Sequence, residues 1–133
     1  MNPIKILLVE SDVSLAKRAS QHLKAEGYQV VMALEGPGSL DLIRREKPNL
    51  LILDFPTALS RDPSLLERIS SIPELRSIPT LILYTHVEEG MVDQLFKYGV
   101  RHLLRKPYDL DELSLQVALI FKAKEEESSG NKK

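Results

Sequence analysis

The sequence predicts an α/β domain in which a doubly wound, five-stranded parallel sheet is covered by helices on both faces. Three observations predict it. Short apolar runs alternate along the chain with longer amphipathic segments, as repeated βα units require. The clearest runs, Ile4–Val9, Leu50–Leu53 and Leu81–Leu83, are continuously apolar apart from Lys5, which suits strands buried on both faces. The segments between them carry apolar residues at helical spacing.

The elements follow in order. After the strand Ile4–Val9, residues 12–26 place Leu15, Ala16, Ala19 and Leu23 on one stripe, and Gly27 ends the helix. Tyr28–Met32 is a weaker strand. Residues 38–46 carry Leu40, Leu42 and Ile43 and stop before Pro48. Leu50–Leu53 is the third strand. A third helix is expected over 62–71 with Ser60 as its cap. Leu81–Leu83 precedes a fourth helix over 87–98, which carries Met91, Val92, Leu95 and Phe96 and is followed by Gly99. Leu95 and Phe96 read as core and Tyr98 as an exposed contact. Leu103–Leu104 is a short fifth strand. Residues 109–122 form the fifth helix, with Asp109 as cap and Leu110, Leu113, Val117, Ile120 and Phe121 inward.

The 133 residues suit one domain, expected over 1–122, with a polar tail at 123–133. The stretch Lys122–Lys133, KAKEEESSGNKK, carries a charge of +1 and leaves −2 on the body. It reads as a helix end that frays into a linker or disordered end. At 43% hydrophobic and 28% charged, with no Trp, the chain has enough Leu, Ile and Val for one core. A net charge of −1 gives no basic face for nucleic acid. There is no Cys, hence no disulfide framework or thiolate metal site. The first apolar run is too short for a signal peptide, and no run approaches the roughly 20 residues of a membrane span. The expectation is a cytoplasmic protein. Gly36–Pro37–Gly38 is a turn signal, lacking the Lys and spacing of a phosphate loop. His22, His86 and His102 have no metal-ligand spacing and read as surface residues.

Three strand ends carry groups that make chemical sense together. Glu10 and Asp12 follow the first strand, Asp54 ends the third, and Lys106 ends the fifth. In a wound parallel sheet these ends lie side by side. Clustered carboxylates favour a hard cation such as Mg²⁺. A carboxylate there can act as a nucleophile towards phosphorus, with a Lys neutralising the phosphoryl oxygens.

Four stretches, KILLVESD, PNLLILD, IPTLILYT and GVRHLLRKP, stand in that order. Over about residues 4–121 the chain resembles the receiver domain of two-component response regulators. The resemblance implies a flavodoxin-like (βα)5 receiver fold without enzymatic activity of its own. It implies that Asp54 takes a phosphoryl group from a histidine kinase or phosphotransfer protein, and that Lys106 contacts that group. Mg²⁺, bound weakly or not at all, would be held by Glu10, Asp54, Asp12 and the Pro56 carbonyl. The Lys106–Pro107 bond is expected to be cis. The output would pass to a downstream protein through the face of the fourth helix, fifth strand and fifth helix. A homodimer is an admissible form, with no membrane contact and no nucleic acid bound within this chain.

The chain also departs from the family pattern. Ser11 stands where the second acidic residue belongs, and Asp12 reads more readily as a helix cap. Tyr84 occupies the switch-hydroxyl position, so Thr85 can replace the hydroxyl only if the strand shifts register or ends early. Leu103 replaces the aromatic switch residue. Pro56 keeps the carbonyl that would face the metal. These changes make this an atypical receiver and motivate an alternative: a pseudo-receiver that docks proteins independently of phosphorylation. A nucleotide- or flavin-binding enzyme of similar fold ranks last, because the loop Val9–Val13 is acidic and lacks Gly.

Overall fold

A computed structural model of the chain describes residues 3–33, 38–59 and 64–130. Five strands, β1 (Lys5–Val9), β2 (Gln29–Ala33), β3 (Leu50–Asp54), β4 (Thr80–Tyr84) and β5 (His102–Arg105), form one sheet in the order β2-β1-β3-β4-β5. All pairings are parallel. The predicted α/β architecture is therefore the observed one.

Alternation along the strands splits the core in two. Ile6, Leu8, Leu50, Ile52, Leu81, Leu83 and Leu104 point to one face. There they meet Ala16, Ala19 and Leu23 of α1 (Val13–Ala25) and Leu113, Val117 and Ile120 of α7 (Leu110–Gly130). Leu7, Val9, Leu51, Leu53 and Ile82 point the other way. That face is covered by α2 (Ser39–Glu46), α3 (Phe55–Leu59), α4 (Leu65–Ser71), α5 (Pro73–Arg76) and α6 (Met91–Lys97). β3 is buried throughout, and β1 and β4 are buried at every position but one end residue, which is why they read as nearly unbroken apolar runs.

The third helix departs most from expectation. Residues 55–59 already turn into α3, where Pro56 sits in the first turn and needs no amide partner. The expected cap Ser60 lies outside the described residues. α4 begins later than predicted, with the Ser64 hydroxyl accepting from Glu67 N–H at 3.1 Å. Ile72, placed before Pro73, is driven to φ −105°, ψ 111°, so α4 ends there and α5 starts afresh.

The fourth helix is also shorter than predicted. Gly90 takes φ +77°, and α6 starts only at Met91. Its inward stripe is Met91 and Leu95. Phe96, read as core, is instead 45% exposed, with the Arg101 guanidinium 5.0 Å from its ring centroid. Tyr98 is half-buried and donates to Glu67 Oε1 at 3.4 Å. In the last helix the Asp109 N–H donates to Glu112 Oε1 at 3.3 Å, the return half of a capping box. α7 does not fray near Lys122. It runs to Gly130, because Lys, Ala and Glu are good helix formers and Lys124 Nζ donates to the Ser77 carbonyl at 2.9 Å.

Candidate functional site

The C-terminal ends of β1, β3 and β5 bring Glu10, Asp54 and Lys106 to one edge of the sheet. Lys106 N–H donates to the Tyr84 carbonyl at 2.7 Å, which fixes its backbone on the end of β4. The Lys106–Pro107 peptide is cis, as the resemblance implied. The Lys106 ammonium donates to Glu10 at 2.7 Å (Oε1) and 2.9 Å (Oε2). Since β3 and β4 lie between β1 and β5, this ion pair reaches over the end of β3, where Asp54 sits.

Asp54 is 1% exposed. Its Oδ2 accepts from the Ser11 hydroxyl at 3.0 Å and from the Ser11 N–H at 3.3 Å. Its Oδ1 is buried and has no hydrogen-bond partner among the described residues. Such an oxygen is costly to leave unsatisfied, and a cation that reached it would offset that cost.

Glu10 is as buried as Asp54. Burial pushes its carboxyl above the usual 4.5, the Lys106 ammonium pulls it back, and the Asp54 charge adds to the upward shift. The ring of Tyr108 packs on the same side, against the α1–α7 core. Burial pushes its hydroxyl up to about 12, helped by the charge of Glu10 and opposed by Arg18. That hydroxyl has no hydrogen-bond partner among the described residues. Tyr108 was missed in the sequence, where its only signal is its place two residues after Lys106.

The other candidates are arranged differently. Asp12 turns its carboxylate onto the start of α1, where Oδ1 accepts from Leu15 N–H at 3.1 Å. Its side chain is exposed and serves the helix, while its backbone N–H donates to Glu10 Oε1 at 3.4 Å. β4 does end at Tyr84, and Thr85 follows it in an exposed bend. Tyr84 and Leu103 are half-buried against the α2–α6 core, across the sheet from the face on which Leu50 and Ile52 lead up to Asp54. Pro56 is exposed within α3. His102 is half-buried, and burial lowers its pKa.

Among the described residues no three His, Asp or Glu side chains gather as a metal cage. Mg²⁺ needs less than that: one or two carboxylates suffice when phosphate oxygens complete the shell. The orphaned Oδ1 of Asp54, with Glu10 beside it, fits that modest requirement.

Comparison with known proteins agrees with this geometry. A family model described as the response regulator receiver domain matches residues 6–118. The transcriptional regulatory protein CrdR of Helicobacter pylori is 30% identical over 117 residues, covering 88% of this chain and 54% of CrdR. The chain thus spans about half the length of that relative. Sporulation initiation phosphotransferase F of Bacillus subtilis is 28% identical over 82% of this chain and 86% of its own. Among solved structures, the signal receiver domain of a Luxo repressor protein from Vibrio parahaemolyticus superposes with a TM-score of 0.80 at 29% identity, covering 96% of both chains. The chemotaxis response regulator CheY4 of Vibrio cholerae gives the same TM-score at 19% identity, over 90% of this chain and 99% of that one, and speaks to the fold alone. With the matched span running from β1 into α7 and taking in all three converging residues, this chain belongs to the response regulator receiver domain family of two-component signalling.

Proposed function

We propose that the chain accepts a phosphoryl group on Asp54 from a histidine kinase or phosphotransfer protein in the cytoplasm, and thereby switches a protein-binding surface. The observation that carries this reading is the state of Asp54. It is a buried carboxylate at a strand end, with one oxygen held by Ser11 and the other without a partner. Lys106 lies within the same cluster, where its ammonium can turn from Glu10 to the phosphoryl oxygens. Thr85, in the bend after β4, is the remaining candidate for contact with that group.

Glu10, Asp54 and the Pro56 carbonyl are the groups that would hold Mg²⁺, with Asp12 committed to its helix. The bound cation would neutralise charge on the phosphoryl oxygens. Phosphorylation adds about −1.5 to −2 charges, to a cluster in which two carboxylates face one ammonium. Lys106 is then drawn off Glu10, and the backbone of β4 and β5 is pulled with it. The exposed side chains of Phe96 on α6 and of Leu115 and Leu119 on α7 suit the downstream contact, by another protein or a second copy of the chain.

A second reading has an observation of its own. Lys106 is paired with Glu10 and Ser11 satisfies Oδ2 of Asp54, so the cluster is partly closed without any ligand. On that reading the fold is a docking module that works independently of phosphorylation. Beryllofluoride with Mg²⁺, followed by amide NMR, separates the two. A saturable shift near Asp54 that disappears in Asp54→Ala is expected; an unchanged spectrum would leave the docking module.

A further inference from the structure

We propose that a cleft at the opposite edge of the sheet binds a small amphipathic carboxylate, an apolar body with one anionic head. The cleft, of about 470 Å³, opens between the end of α2 and the α4–α5 junction and is of a size suited to small molecules. Lys47 and Pro48 lead into β3, and Ile78 leads into β4. The cleft therefore lies at the N-terminal ends of these strands, whereas Asp54 closes β3 at the other end. Its floor is apolar: Pro48 and Leu75 are buried, Ile72 and Ile78 half-buried. Arg44 and Lys47 are exposed on its rim, and among the described residues Glu74 is the one acid that lines it.

Two irregularities of the backbone meet in this cleft. Ile72, driven out of the helix by Pro73, puts the break between α4 and α5 on one wall. Lys47 ends α2 in the left-handed region, at φ +48°, ψ 59°, where glycine is the residue that fits without strain. A long side chain borne there against the preference of the backbone points to a use for it. Its charge is also unpaired. Glu46, the nearest acid along the chain, is taken up by Lys5 at 3.3 Å and Arg45 at 3.7 Å. Neither Arg44 nor Lys47 has an ion-pair partner among the described residues. The end of α2 contributes about half a negative charge and Glu74 a whole one, against two full cations. The balance favours an anionic head on the Arg44–Lys47 side. A bare anion would leave the apolar floor uncovered, and a purely apolar molecule would leave both cations without a partner.

The test titrates the full chain with 3-phenylpropanoate, followed by amide NMR, beside 3-phenylpropan-1-ol and acetate, which keep only the body or only the head. A probe this small should saturate in the millimolar range. Saturable shifts are expected at Lys47, Ile72, Leu75 and Ile78, with the alcohol and acetate both weaker. Lys47→Gly, which relieves the left-handed residue and so keeps the fold, should bind about fivefold more weakly, the size of one exposed ion pair. Arg44→Gln should weaken binding to a similar degree, and Glu74→Gln should tighten it. Shifts that do not saturate, or that fall elsewhere on the molecule, would overturn the site. Equal binding of the acid and the alcohol, or equal affinity in wild type, Lys47→Gly and Arg44→Gln, would overturn the anionic head.

Discussion

The Lys106 ammonium meets both carboxylate oxygens of Glu10, at 2.7 and 2.9 Å, and so ties the end of β5 to the end of β1 across two intervening strands. The Glu10 end of this pair is 1% exposed and the Lys106 side chain 19% exposed. The charge at risk is therefore the one on Glu10.

Lys106→Ala should destabilise the chain by roughly 2–3 kcal/mol near neutral pH, because a buried carboxylate loses its partner. The cost should shrink in acid, where Glu10 takes a proton and no longer needs the ammonium. Urea melts of both proteins at the two ends of that range check this. An equal cost throughout would mean that the pair is not what holds the edge together.

Glu10→Gln isolates the pH term. The carboxyl of Glu10 is held above its ordinary 4.5, mainly by burial. The native state therefore binds the proton more readily than the unfolded chain does. Stability contributed by Glu10 must fall as pH rises from 4.5 through its raised value, and level off above. The stability of Glu10→Gln relative to wild type should rise across that window. A flat difference in denaturant melts from about pH 4 to about pH 7 would contradict the burial of the charge.

Tyr108→Phe removes a hydroxyl that is buried without a partner among the described residues. The variant should be as stable as wild type or more stable by about 1 kcal/mol. In an ultraviolet titration of the wild type, one tyrosine should ionise only near 12. Its loss in Tyr108→Phe assigns it.

Lys47 closes α2 in the left-handed region at φ +48°, and is the only non-glycine residue with positive φ among those described. Lys47→Gly relieves that conformation and should add up to about 1 kcal/mol, less the entropy that glycine returns to the unfolded chain. A thermal melt measures it.

The strands and the convergence of Glu10, Asp54 and Lys106 were legible because fully buried parallel strands leave apolar runs whose ends can be counted. The partners within the cluster were not. Sequence reasoning named a phosphoryl group as the partner of Lys106 and did not foresee its pairing with Glu10, the equally buried carboxylate whose burial cost that pairing offsets. Ser11 was read as a missing charge, and its donation to Asp54 depends on a loop conformation that spacing does not encode. The helix after β3 was misjudged for a local reason. Ile72 was assigned no role, yet with Pro73 behind it the residue must leave the helix, and one helix became two.

The overrun of α7 has a consequence for where the molecule opens. Its 21 residues extend about 31 Å, whereas a five-residue strand such as β3 spans about 17 Å. Among the described residues, Lys124 makes the last side-chain hydrogen bond from α7 to the body, to the carbonyl of Ser77. Beyond it the exposed Glu125, Glu126 and Glu127 continue the helix. Amide protons there should exchange with solvent at a small fraction of the global unfolding free energy, while those of Leu113 and Val117 wait for the whole sheet to come apart.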